Sequence, residues 1–141
     1  MLTLALACND QGPEIEEAGN DKKALQDSLY KVVDRGHNEG MAKYGKLNRS
    51  ITEVQRALDS INKLQASKVD TAYRRRLLAL QEDLSYALMS MDKWMTEFKH
   101  DSAEGNPDQR IDYLESEAAK VTKVRDNILN SLQRADSLLK K

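Results

Sequence analysis

The stretch 73–98, YRRRLLALQEDLSYALMSMDKWMTEF, decides the fold. Its apolar residues are Tyr73, Leu77, Leu80, Leu84, Ala87, Met91, Trp94 and Phe98, recurring in alternating steps of four and three. That repeat places them on one narrow stripe of an α-helix, the seam by which slender bundles and coiled coils pack. Ahead of it, QASKVD offers Ser67 as the helix cap with Asp70 three residues on, in the manner of a capping box. Behind it, Lys99 and His100 suit a helix C-terminus, and Gly105 follows where the chain must turn.

The same spacing governs both flanks. Upstream, two heptad lines interleave: Tyr30, His37, Tyr44, Ile51 and Leu58, and Val33, Gly40, Leu47, Val54 and Ile61. Asn20 or Asp21 can cap this first helix. Its weak point is residues 35–45, where Gly36, Gly40 and Gly45 each cost roughly 1 kcal/mol of helix propensity relative to alanine. A kink or a close approach between helices is expected there, with a true break as the alternative. Downstream, GNPDQR marks the third start: Asn106 caps, Pro107 takes the first helical position, Asp108 complements the dipole and Gln109 closes the box. The third seam runs Ile111, Leu114, Ala118, Val121, Ile128, Leu132, Ala135 and Leu139; Arg125 interrupts it, and Val124 takes over part of that layer. Helices two and three should be about 34 residues and roughly 50 Å long, while the first could exceed 40 and overhang them. Short connections make neighbours antiparallel. The expected fold is all-α: an elongated antiparallel three-helix bundle, up-down-up, over residues 21–141.

Composition agrees. The chain has 141 residues, 32% of them charged and 5% aromatic, and no stretch of period two that would suggest a strand. With 22 basic and 23 acidic residues the net charge is -1, without the basic excess of a nucleic-acid binder. No phosphate-binding glycine loop, His-Glu-x-x-His or Gly-x-Ser-x-Gly occurs, so the reading is non-enzymatic, with no catalytic residue and no cofactor. One competing reading is a small metal- or haem-binding bundle. His37 and Met41 share a helical face, Met89, Met91 and Met95 cluster on the second helix, and imidazole with thioether suits Cu(I) or haem. The plainer account has methionines filling irregular gaps in a thin core. On that account His37 is a seam residue hydrogen-bonded to Tyr30 or Tyr44.

Cys8 is the only cysteine, so no internal disulfide forms. Ala5, Leu6 and Ala7 precede it in the manner of the lipobox of bacterial lipoproteins. Ala5 stands where leucine is more usual, and no basic segment comes before. Residues 1–8 therefore read as the remnant of a signal peptide with Cys8 as lipid attachment, against a plain thiol as the alternative. Residues 9–20, NDQGPEIEEAGN, read as a flexible acidic tether broken by Gly12, Pro13 and Gly19.

Three stretches carry a family resemblance: HNEGMAKYGKL (37–47), ALMSMDKWMTEF (87–98) and YLESEAAKVTKVRDNI (113–128). Together they resemble a family of small Bacteroidota lipoproteins often labelled "viral A-type inclusion protein". Asn38 stands where the family has an acidic residue, and Gly40 where it has a bulkier one. The resemblance implies a bacterial envelope lipoprotein and points to no particular activity; the expected location is the cell envelope, lipid-anchored at the outer membrane. Its partners would be the membrane and an unidentified envelope protein or a second copy. Leu25, Leu29, Val32 and Val33, on the overhanging first helix, are the apolar surface left for such a partner.

Overall fold

The structure, a computed structural model, describes residues 12–140, with side chains from residue 16 onward. Three helices account for nearly all of it: α1 (Gly12–Asn62), α2 (Thr71–Glu97) and α3 (Pro107–Leu139). A single 3₁₀ turn, Ala66–Lys68, lies between the first two. No strand occurs among the described residues. The chain is an all-α three-helix bundle.

Cross-helix bonds fix the directions. Lys22 meets Asp108, Glu39 meets Arg125 and Lys46 meets Asp136, so α1 and α3 run parallel. Tyr44 reaches Asp92 and Gln55 reaches Gln81, so α2 runs against α1. Trp94 pairs with Glu117, and Asp83 with Arg134, so α2 also opposes α3. This is the up-down-up order.

Unequal lengths shape the molecule. At 1.5 Å per residue, the 51 residues of α1 span about 75 Å, the 27 of α2 about 40 Å and the 33 of α3 about 50 Å. α1 therefore overhangs both partners at its N-terminal end and α3 alone at its C-terminal end. It also begins well before the expected cap at Asn20 or Asp21, because the acidic segment is helical from Gly12. Pro13 falls in the first turn, where its missing N–H costs nothing, and Glu14, Glu16 and Glu17 follow where negative charge favours a helix N-terminus. Residues that resemble breakers thus start the helix.

The second expected cap is displaced too. Ser67 sits within the 3₁₀ turn, and Asp70 caps α2 by accepting the N–H of Tyr73 at 2.9 Å. α2 is correspondingly shorter than 34 residues. At the third start the reading holds: Asn106 accepts the N–H of Gln109 at 3.1 Å and Pro107 opens the helix.

The core follows the heptad lines, with one asymmetry. Val33, Gly40, Leu47, Val54 and Ile61 are buried, whereas Tyr30, His37, Tyr44 and Ile51 lie half-buried along the rim. A helix facing two partners buries the line between them and leaves its neighbour at an edge. Val33 is accordingly core, while Leu25 and Val32 stay exposed. Two glycines of α1, Gly36 and Gly40, serve close approach. A Cβ on Gly36 would come within 3.0 Å of Val121, and one on Gly40 within 2.3 Å of the Met91 Cε. The helix is unbroken through both and through Gly45.

Candidate functional site

The chemistry of this molecule concentrates where α2 ends and α3 begins. Trp94, in the last turn of α2, is buried by the seam repeat. Its Nε1 donates to Glu117 Oε2 at 2.9 Å. Glu117 is only 5% exposed, and its other oxygen accepts from Lys120 Nζ at 2.7 Å. That bond, ahead of burial, which acts against it, holds the Lys120 ammonium above its usual range. The carboxylate is thus buried but satisfied at both oxygens, which makes its desolvation tolerable.

Rings extend from Trp94 in both directions. His37 lies 5.8 Å away on the α1 side, and Phe98 stacks at 5.0 Å on the other. Phe98 in turn stacks on Tyr113 at 6.1 Å. The Arg110 guanidinium lies 6.0 Å from the Tyr113 ring and donates to the Ser102 carbonyl at 2.8 Å. Tyr113 Oη accepts the Lys99 N–H at 2.6 Å, and Tyr30 bonds His100 Nδ1 at 3.1 Å. The loop 98–106 is thereby fastened from both sides. Between α1 and α2, a groove of about 320 Å³ opens onto this ladder, lined by Tyr30, Val33, Asp34, His37, Trp94, Met95 and Phe98. Its floor is aromatic and its rim carries one carboxylate and one imidazole.

The proposed metal or haem ligands are only partly brought together. His37 and Met95 line this groove, with Met95 37% exposed. Met91 is fully buried against Gly40, Met41 packs half-buried on the core, and Met89, 64% exposed, faces outward. Residues 89 and 91 stand two apart on a helix and so point to nearly opposite sides. His37 is half-buried, and its Nδ1 lies 3.1 Å from Asn38 Oδ1 instead of a tyrosine hydroxyl. Tyr44, expected beside it, donates to Asp92 at 2.9 Å, and that bond holds its phenol above the usual value, helped by burial and the Asp92 charge. Among the described residues no three His, Cys, Asp or Glu side chains gather as a metal site requires. Cys8 lies outside the described residues.

Arg125 resolves as a cross-brace. Its guanidinium leaves the seam sideways to Glu39 at 3.0 Å and Asp126 at 2.8 Å, while Val124 packs against the core. Hydrogen bonding to Asp126 first, then to Glu39, holds it above its usual value against desolvation. Glu117, Arg110 and Tyr113 are the site residues that the sequence reading missed. A signal existed: Arg110, Leu114, Glu117 and Val121 step by four, three and four, which puts two charged residues on the buried face. No helix among the described residues is long and apolar enough to cross a membrane. No protein-family model, curated protein or solved structure matches the chain.

Proposed function

We propose that this protein is a bacterial envelope lipoprotein, anchored in the outer membrane by a lipid on Cys8, whose bundle acts as a binding or structural module and not as an enzyme. One observation carries the reading: α1 begins at Gly12, and its residues 16–21 stand exposed before the helix meets α3 at the Lys22–Asp108 ion pair. This projection is about 15 Å long at 1.5 Å per residue. It joins the lipobox-like segment to the body, and its carboxylates, Glu14, Glu16, Glu17 and Asp21, have no basic residue among them. A rigid acidic stalk between a lipid and a bundle holds the bundle clear of an anionic bilayer. The small residues before Cys8 and the family resemblance support the anchor independently.

The test is metabolic labelling with a fatty-acid analogue in a native host. Label on the wild type, lost in Cys8→Ser, with the protein in the outer-membrane fraction, is the expected result. Unlabelled wild type recovered from the cytosol would refute it.

A further inference from the structure

The net charge of -1 conceals a polarised molecule. At the end remote from the stalk, residues 56–76 carry Arg56, Lys63, Lys68, Arg74, Arg75 and Arg76 against Asp59 and Asp70 alone, six positive to two negative. Asp59 accepts from Gln55 and Asp70 from the Tyr73 N–H, neutral donors both, so the two carboxylates offset two of the six charges and leave a net excess of four. All six cations are exposed, and Lys63, Lys68, Arg74, Arg75 and Arg76 belong to none of the ion pairs found among the described residues. α3 ends beside them, since Leu138 lines a groove with Arg76, and so Lys140 adds to the same end. By contrast, the stalk and the loop between α2 and α3 carry exposed Glu16, Glu17, Asp21, Asp101 and Glu104 against Lys99.

Like charges gathered in excess of their counterions raise the electrostatic energy of the free protein, and an anionic partner relieves it. The shape of this end narrows the class. The tip is a protruding connection, 63–70, between two antiparallel helices, and within it Leu64 is 49% exposed between Lys63 and Lys68. An apolar residue at an apex ringed by long cations matches a lipid surface. The leucine enters the interface while lysine and arginine heads meet phosphates, their stems lying along the apolar boundary. We infer that the basic tip docks on an anionic phospholipid surface, about 75 Å from the start of α1. The docking needs no lipid on Cys8, so the two proposals fail separately.

The test uses the full chain carrying Cys8→Ser, sedimented with vesicles of phosphatidylglycerol and phosphatidylcholine in equal parts, or of phosphatidylcholine alone. Binding only to the anionic vesicles, weakening as salt rises, is expected. At roughly fivefold per basic residue near an anionic surface, Arg74→Ser, Arg75→Ser and Arg76→Ser together should weaken it on the order of a hundredfold. Leu64→Ser should cost about tenfold. Circular dichroism checks that these exposed substitutions leave the helices intact. Equal sedimentation with both vesicles, or full affinity in the triple variant, would overturn the inference. So would equally tight binding of soluble polyglutamate that ignores Leu64→Ser, which would assign the tip to an acidic polypeptide.

Discussion

Alanine at Gly40 sets two opposing effects of known size against each other. Replacing glycine inside a helix gains about 1 kcal/mol through backbone entropy. The added Cβ would lie 2.3 Å from Met91 Cε and 3.4 Å from Ile128 Cδ1. Carbon atoms pack at about 3.5–4.0 Å, so the Met91 methyl must withdraw by roughly 1 Å or more. Met91 is fully buried, so its methyl must withdraw within the packed core. Overpacking of this kind costs typically 1–3 kcal/mol, and a thioether with three rotatable bonds belongs at the lower end or middle of that range. Gly40→Ala should therefore be neutral or destabilise the bundle by up to about 1 kcal/mol net. Met91→Leu removes the intruding methyl at a cost under about 1.5 kcal/mol, and in that background Gly40→Ala should stabilise by about 1 kcal/mol instead. Urea unfolding of the four proteins in the cycle reads the difference between the two backgrounds directly. Gly45→Ala is the control: its Cβ would meet only the Arg49 guanidinium at 3.5 Å, so a gain of about 1 kcal/mol is expected. If Gly40→Ala has the same effect with methionine or leucine at 91, close approach is not why glycine stands there.

Trp94→Phe keeps much of the ring packing but strips the N–H from Glu117, and unfolding should show a loss of about 1–3 kcal/mol; Trp94→Ala should lose about 3–5 kcal/mol. Ala103 is held at φ 58°, left-handed backbone that suits glycine, so Ala103→Gly should raise stability by about 1 kcal/mol despite the added freedom of the unfolded chain. The Tyr44 phenol is raised in the folded state, so the stability it contributes is complete below its unfolded pKa of about 10 and is lost as pH rises through the folded value. Lys120 is raised and acts in the same direction in that alkaline window, so Tyr44→Phe should flatten only part of the decline, read by unfolding at successive pH values.

The bundle was legible because its seams are repetitive. The line from Leu77 to Trp94 in α2 and that from Leu114 to Ala135 in α3 are buried as the spacing required. Caps were less legible, since several residues compete for each. Ser67 and Asp70 both suit a cap, and the choice between them depends on the 3₁₀ turn, which the capping pattern does not encode. Pro13 and Gly12 look like breakers until the helix is seen to begin on them. Glu117 escaped because a carboxylate at a helical position is ordinarily solvated. Only the convergence of Trp94 from one helix and Lys120 from its own makes a buried one tolerable, and that pairing spans elements no local pattern connects. His37 was placed on the correct line, but its neighbour along the chain, Asn38, took the hydrogen bond assigned to a tyrosine.

The two ends of the bundle differ in how firmly they are held, and the difference bears on what each can do. At the stalk end, the loop 98–106 is tied by the Arg110 bond to Ser102, the Tyr113 bond to Lys99 and the Tyr30 bond to His100, while Lys22 and Gln26 of α1 clamp the first residues of α3. Elements drawn from all three helices therefore over-determine this end, and the aromatic ladder from His37 to Tyr113 fills the space between them. Beyond the end of α3 at Leu139 the opposite end is carried by α1 and α2 alone, closed by Leu58, Ile61 and Leu77. A pair of helices with a narrow apolar contact opens more readily than a three-helix section. Firmness beside the stalk transmits the direction of the projection to the body. For the proposed docking, compliance at the basic end would let side chains of both helices adjust to a surface. A chain with both ends equally locked would orient well and conform poorly; the uneven distribution of pins allows both.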